Sequence, residues 1–135
     1  MMDTTPKYVK MSEKSPLRET WEPLPGDFIY SQRDGVKILD AALIVLAELT
    51  PFGQNKARIK ADMIPLYRQD QLQDMVFDST VGMQSHCCAI YEFAISVEGV
   101  NFCLDDGSME QLWLAFVMHE KYDKVWDDKK EEWVK

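Results

Sequence analysis

Ser108-Met109-Glu110-Gln111-Leu112-Trp113-Leu114-Ala115-Phe116-Val117-Met118-His119-Glu120-Lys121 is the stretch that decides the fold of this chain. Met109, Leu112, Trp113, Phe116 and Val117 recur at i, i+3, i+4, i+7 and i+8, the period of a helix with one apolar face. Ser108 followed by Gln111 has capping-box spacing, and Gly107 precedes it. Glu110 near the start and Lys121 near the end both suit the helix dipole. The pattern predicts a helix over 108–121.

Working outward, two more helical patterns precede it. Leu72, Met75, Val76 and Ser79 predict a helix over 69–80, broken at Val81-Gly82. Met83, Cys87, Ile90, Tyr91, Ala94 and Val97 form an apolar stripe that predicts a helix over 83–98, ending at Gly99. After the decisive helix, Val125-Trp126-Asp127 and Glu132-Trp133-Val134 read as a short hairpin whose tryptophans pack back on the domain. Upstream the period changes. Asp27-Phe28-Ile29-Tyr30 follows a Pro-Gly turn, Asp34-Gly35 is a hairpin signal, and Ala57 to Met63 alternates apolar with charged residues. The segment 36–49 satisfies either a buried strand or a helix. The fold class is therefore α+β, a small antiparallel sheet over about 26–63 followed by three helices and a C-terminal hairpin. Residues 1–24, polar and rich in proline, are expected to form a loosely ordered arm tied down by Trp21, and 25–135 a single globular domain.

Composition bounds the class. At 135 residues and 46% hydrophobic, the chain can bury a proper core. Its longest apolar run, Ala41 to Ala47, is far short of the ~20 residues that span a bilayer. The opening residues lack the apolar core of a signal peptide. Three cysteines, two of them adjacent, fit reduced thiols in a cytoplasm better than a disulfide framework.

Charge is sharply segregated. From Arg68 to Lys121 no Lys or Arg intervenes, yet nine carboxylates do, so this block carries the whole formal net charge of -8. An anionic surface of this kind repels nucleic acid and attracts basic partners, although acids on a small protein also serve simply to keep it soluble. Asp70, Asp74 and Asp78 are spaced i, i+4, i+8, which on a helix lines them up about 6 Å apart. That spacing is close to a phosphate repeat, so imitation of nucleic acid is one reading of the row. The aromatics of the block have no interleaved bases, and direct nucleic-acid binding is disfavoured.

Catalytic and metal signals are weak. His86, Cys87, Cys88, Cys103 and His119 lack the paired spacing of zinc ligands, and Cys87 falls on the apolar stripe as a core residue would. Cys88 or Cys103 with His119 could form a nucleophile pair, but no accompanying signature, phosphate loop or nucleophile elbow is present. Asp105-Asp106 before Gly107 reads first as a turn into the helix. No catalytic residue, metal ligand or cofactor is assigned, and the expectation is a protein that is not an enzyme.

Two segments carry a resemblance: Ile64-Pro65-Leu66-Tyr67-Arg68-Gln69-Asp70-Gln71-Leu72-Gln73-Asp74-Met75, and Ser108 to Tyr122, each with distinctive wording. Both are similar to short uncharacterised proteins encoded by phages and prophages of Bacillus-like bacteria, in which the second segment is likewise followed by Trp-Asp and a terminal Trp, as Trp126-Asp127 and Trp133 follow here. The likeness covers about the last half of the chain and Trp21-Glu22-Pro23, and not 29–61. It implies a bacterial cytoplasm as the setting, but no assigned activity comes with it. With the acidic block, it leads to an expected binder of a bacterial host or defence protein with a basic surface, through Asp70, Asp74, Asp78, Asp105 and Asp106. The alternatives are a small-ligand binder sequestering a nucleotide signal through Arg58, Lys60 and Arg68, and a phage structural or assembly component. The sequence leaves the oligomeric state open.

Overall fold

A computed structural model describes residues 2–40, 63–77, 80, 82–96 and 107–135. The chain groups into two compact units, Thr4–Tyr67 and Arg68–Lys135, the latter joined by Met1–Asp3. The boundary expected near residue 24 thus falls inside the first unit.

The first unit holds α1 (Pro6–Glu13), α2 (Leu17–Thr20), β1 (Phe28–Ser31), β2 (Gly35–Ile38) and β3 (Met63–Leu66). Residues 1–24, expected to be a loose arm, instead carry two helices. Their prolines do not oppose this: Pro6 sits in the first turn of α1, where a missing N–H costs nothing, and Pro16 is the N-cap of α2. Thr5 Oγ1 accepts the Tyr8 N–H at 3.3 Å as the α1 cap. Tyr8 and Met11, at i and i+3, are wholly buried, and α1 packs on β3. The Tyr8 hydroxyl donates to the Tyr67 carbonyl at 2.5 Å.

The sheet is antiparallel in the order β2-β1-β3, with Phe28 opposite both Ile38 and Leu66. Central Ile29 is fully buried. Pro65, which would break a central strand, lies on the edge strand β3 opposite Ile29. The hairpin turn runs through 32–34 into Gly35 at φ +73°, a conformation that favours glycine. Leu24-Pro25-Gly26-Asp27 is a type II turn, closed by the Asp27 N–H on the Leu24 carbonyl at 3.1 Å with Gly26 at φ +91°. Buried Asp27 accepts the Trp21 indole N–H and the Leu24 N–H, both at 3.0 Å, so Trp21 anchors its segment. The alternating stretch 57–62 and the ambiguous 41–49 lie outside the described residues.

The second unit holds α3 (Gln69–Val76), α4 (Met83–Ile95), α5 (Met109–Tyr122), β4 (Val125–Asp127) and β5 (Glu132–Val134). The α+β class and the C-terminal hairpin are as expected. Helix α5 differs from its one-faced reading. Residues 111–118 are all buried, including Leu114, Ala115 and Met118 off the expected stripe, whereas Met109 is half exposed. α3, α4 and β4 all pack against α5. Ser108 Oγ accepts the Gln111 N–H at 3.1 Å, but the Gln111 side chain does not complete a capping box. Its amide donates instead to buried Asp3 at 2.8 Å, and the Ser108 hydroxyl donates to the same carboxylate. At the other end Asp123 adopts the left-handed conformation, with its N–H on His119 O and the Lys124 N–H on Met118 O. In the hairpin Trp126 faces Trp133, with ring centroids 5.2 Å apart and edges to faces.

Helix α4 turns inward only part of the expected stripe, with Ile90 and Ala94 half-buried. Phe93 is buried, while Tyr91, Ile95, Cys87 and Cys88 are exposed. The helix is apolar around most of its circumference, so periodicity alone does not select its buried side.

Removing the Asp3 carboxylate strands a buried amide and a cap hydroxyl. Asp3→Ala is expected to lower unfolding free energy by about 1–3 kcal/mol in urea titration, with Asp3→Glu recovering only part. An Asp3→Ala protein as stable as the parent would show that α5 needs no cap from outside.

Candidate functional site

Helix α3 begins at Arg68, whose N–H donates to Gln71 Oε1 at 2.9 Å. Arginine has no acceptor with which to reciprocate, and its guanidinium turns to Asp70 instead. Nε meets Oδ1 at 3.1 Å and the Nη2 meets Oδ2 at 3.3 Å, a two-pronged pair on the surface. The Arg68 hydrogen bond, with its charge in addition, holds the Asp70 carboxyl below the ordinary 3.8, against the opposing effect of slight burial. The first member of the expected acidic row is therefore already matched with a base.

Asp74, one turn further along α3, is exposed and has no ionic or hydrogen-bonded partner among the described residues. The helix ends at Val76 with Phe77 as its extended C-cap, so the helical row extends over Asp70 and Asp74 only. Asp78, Asp105 and Asp106 lie outside the described residues, as do Arg58 and Lys60. The basic trio considered for a nucleotide is thus represented only by Arg68, which is spent on Asp70.

The structure brings Asp74 to a feature that periodicity did not reveal. A groove of about 310 Å³ is lined by Asp74, Gln73, Phe77, His86, Ile90 and Trp113, contributed by α3, α4 and α5, with Val76 and Cys87 completing it. The Phe77 and His86 rings stack at 4.4 Å and 23°. Phe77 is 45% exposed and Trp113 only 7%, so one ring stands open to solvent while the other belongs to the core. Trp113 meets Phe116 edge to face at 5.8 Å. Its indole N–H is buried with no acceptor among the described residues. No base lines the groove among the described residues. The sequence reading placed Trp113 in the core and weighed His86 as a metal ligand. Phe77 carried no signal, because its role depends on the helix stopping one residue earlier.

Two other depressions lie among the described residues. One, of about 280 Å³, is lined by Glu92, Phe93, Ser96, Phe116, His119 and Glu120, with His119 Nδ1 at 3.4 Å from Glu120. The other belongs to the first unit and is larger, about 640 Å³, with Arg18, Arg33 and Lys37 set against Glu13 and Asp34. Lys37 is paired with Asp34 at 3.2 Å there, and the opposed charges leave little net field for an anion. The Asp74 groove is the better candidate, because an unmatched charge and aromatic surface meet in one place.

The chain matches no protein-family model, no curated protein and no solved structure.

The depressed Asp70 pKa means that its pairing stabilises the native chain above the unfolded carboxyl's value and is lost as the pH falls through the folded one. Arg68→Gln is expected to raise the Asp70 midpoint toward 3.8 in a carboxyl NMR titration. An unmoved midpoint would remove Arg68 as the cause.

Proposed function

We propose that this is a phage- or prophage-encoded accessory protein that binds a bacterial host or defence protein through an acidic face, acting by stoichiometric occupation in the bacterial cytoplasm and inhibiting an antiphage defence component. The observation that carries the reading is Asp74, an exposed and unmatched carboxylate beside an aromatic groove in a stretch without Lys or Arg. Such a surface attracts a basic partner over distance and offers apolar area to hold it on arrival. The phage-like wording of the Ile64–Met75 and Ser108–Tyr122 segments supplies the setting. Among the described residues no helix is long and apolar enough to cross a membrane, which agrees with a contact made in solution.

The test pairs affinity capture from a Bacillus-type lysate with charge reversal. The tagged protein is expected to retain a partner at low salt and release it at high salt. Asp70→Lys/Asp74→Lys, verified as folded by circular dichroism, is expected to bind the purified partner at least tenfold more weakly. Undiminished binding by the reversed protein, or no salt-labile partner at all, would sink the proposal.

A further inference from the structure

We infer that the groove between α3 and α4 is a receptor for an arginine side chain, presented by the basic partner on which the preceding reading rests. The argument begins with what the groove lacks. Among the described residues its lining holds no Lys or Arg and Asp74 has no counter-ion, so a cationic ligand meets a carboxylate and displaces none of the described bases. An anion would face Asp74 with nothing to balance it.

The choice among cations follows from shape. Phe77, 45% exposed and stacked on His86, gives the groove an open aromatic surface, with the mostly buried Trp113 in its lining. A guanidinium is planar and weakly hydrated, stacks on aromatic faces, and presents a fork that matches a carboxylate. A lysine ammonium is compact and strongly hydrated, and gains less from flat walls. The pair already made on the same helix, Arg68 with Asp70, shows the geometry that an aspartate of α3 offers to a guanidinium. Asp74 presents the same group one turn later with its guanidinium missing. The Gln73 amide supplies a further acceptor in the lining.

The experiment titrates acetyl-Gly-Arg-Gly-amide into the ¹⁵N-labelled full chain and follows the Trp113 indole N–H resonance. The lysine and citrulline analogues serve as controls. The arginine peptide is expected to shift that resonance saturably with millimolar affinity, the lysine peptide to bind about fivefold more weakly, and the uncharged citrulline peptide not to saturate. Asp74→Asn and Phe77→Ala, both at exposed positions, are each expected to weaken the arginine peptide about fivefold while leaving the other indole resonances in place. Equal response to citrulline would show a charge-blind apolar groove, and no saturable shift with arginine would show no receptor; either result overturns the inference. The two readings fail separately. A salt-labile partner that is weakened by Asp74→Asn, with no response to the peptide, would leave the acidic contact standing and remove only the arginine assignment.

Discussion

Helix α5 is buried from Gln111 to Met118, so the Gln111 N–H and side-chain amide at the start of that stretch need partners within the protein, and this constraint governs the second unit. The Ser108 hydroxyl takes the Gln111 N–H, and the Asp3 carboxylate takes the hydroxyl proton and the Gln111 amide in turn. A carboxylate near a helix N-terminus also meets the positive end of the dipole, which lowers the cost of burying it. With its start satisfied, α5 can present apolar side chains in every direction. Leu114, Val117 and Met118 are wholly buried, and α3, α4 and β4 pack against the same helix. The aromatic groove depends on this arrangement, because Trp113 reaches it from a helix fixed on all sides.

The distribution of charge follows from where burial leaves room for it. Helix α5 spends its middle on the core and keeps acids only toward its ends, at Glu110 and Glu120. Helix α3 buries Leu72 completely and turns Asp70 and Asp74 outward. Arg68 then neutralises the nearer of the two. An exposed pair of this kind adds little stability, but it changes which carboxylate remains to act on a partner. Of the two acids of the row among the described residues, Asp70 is therefore matched and Asp74 is the open charge.

Legibility in the sequence tracked how local each determinant is. The extent of α5 was readable because a cap residue and a 3.6-residue period lie within the segment, and Asp34-Gly35 announced the first hairpin for the same reason. Trp126 and Trp133 marked the second by flanking a polar turn. Helix α1 was hidden because its prolines read as breakers until their position at helix starts is known. Residues 64–66 of β3 carried no strand signal because Pro65 argues against a strand unless the strand lies at an edge, and edge position is a property of the sheet. The inward side of α4 was misread because nearly every side qualifies. The groove was not legible at all: Asp74, Phe77, His86 and Trp113 come from three elements, and the stop of α3 at Val76 decides whether Phe77 joins them.

Steering and holding place different demands on a surface, and this one separates them. Beyond about 8 Å at physiological ionic strength, exposed charges are largely screened, so the acidic block acts on approach and its influence fades with salt. A cation that settles in the groove against Phe77 would leave most of that screening behind, and its interaction with Asp74 would strengthen as water is excluded. In the free protein Asp74 is well hydrated and costs the fold little. Its contribution appears only on contact, where aromatic surface has removed the competing water. On the proposed reading, the net charge of the block would govern the rate of encounter, while the aromatic groove and Asp74 would govern how long the encounter lasts.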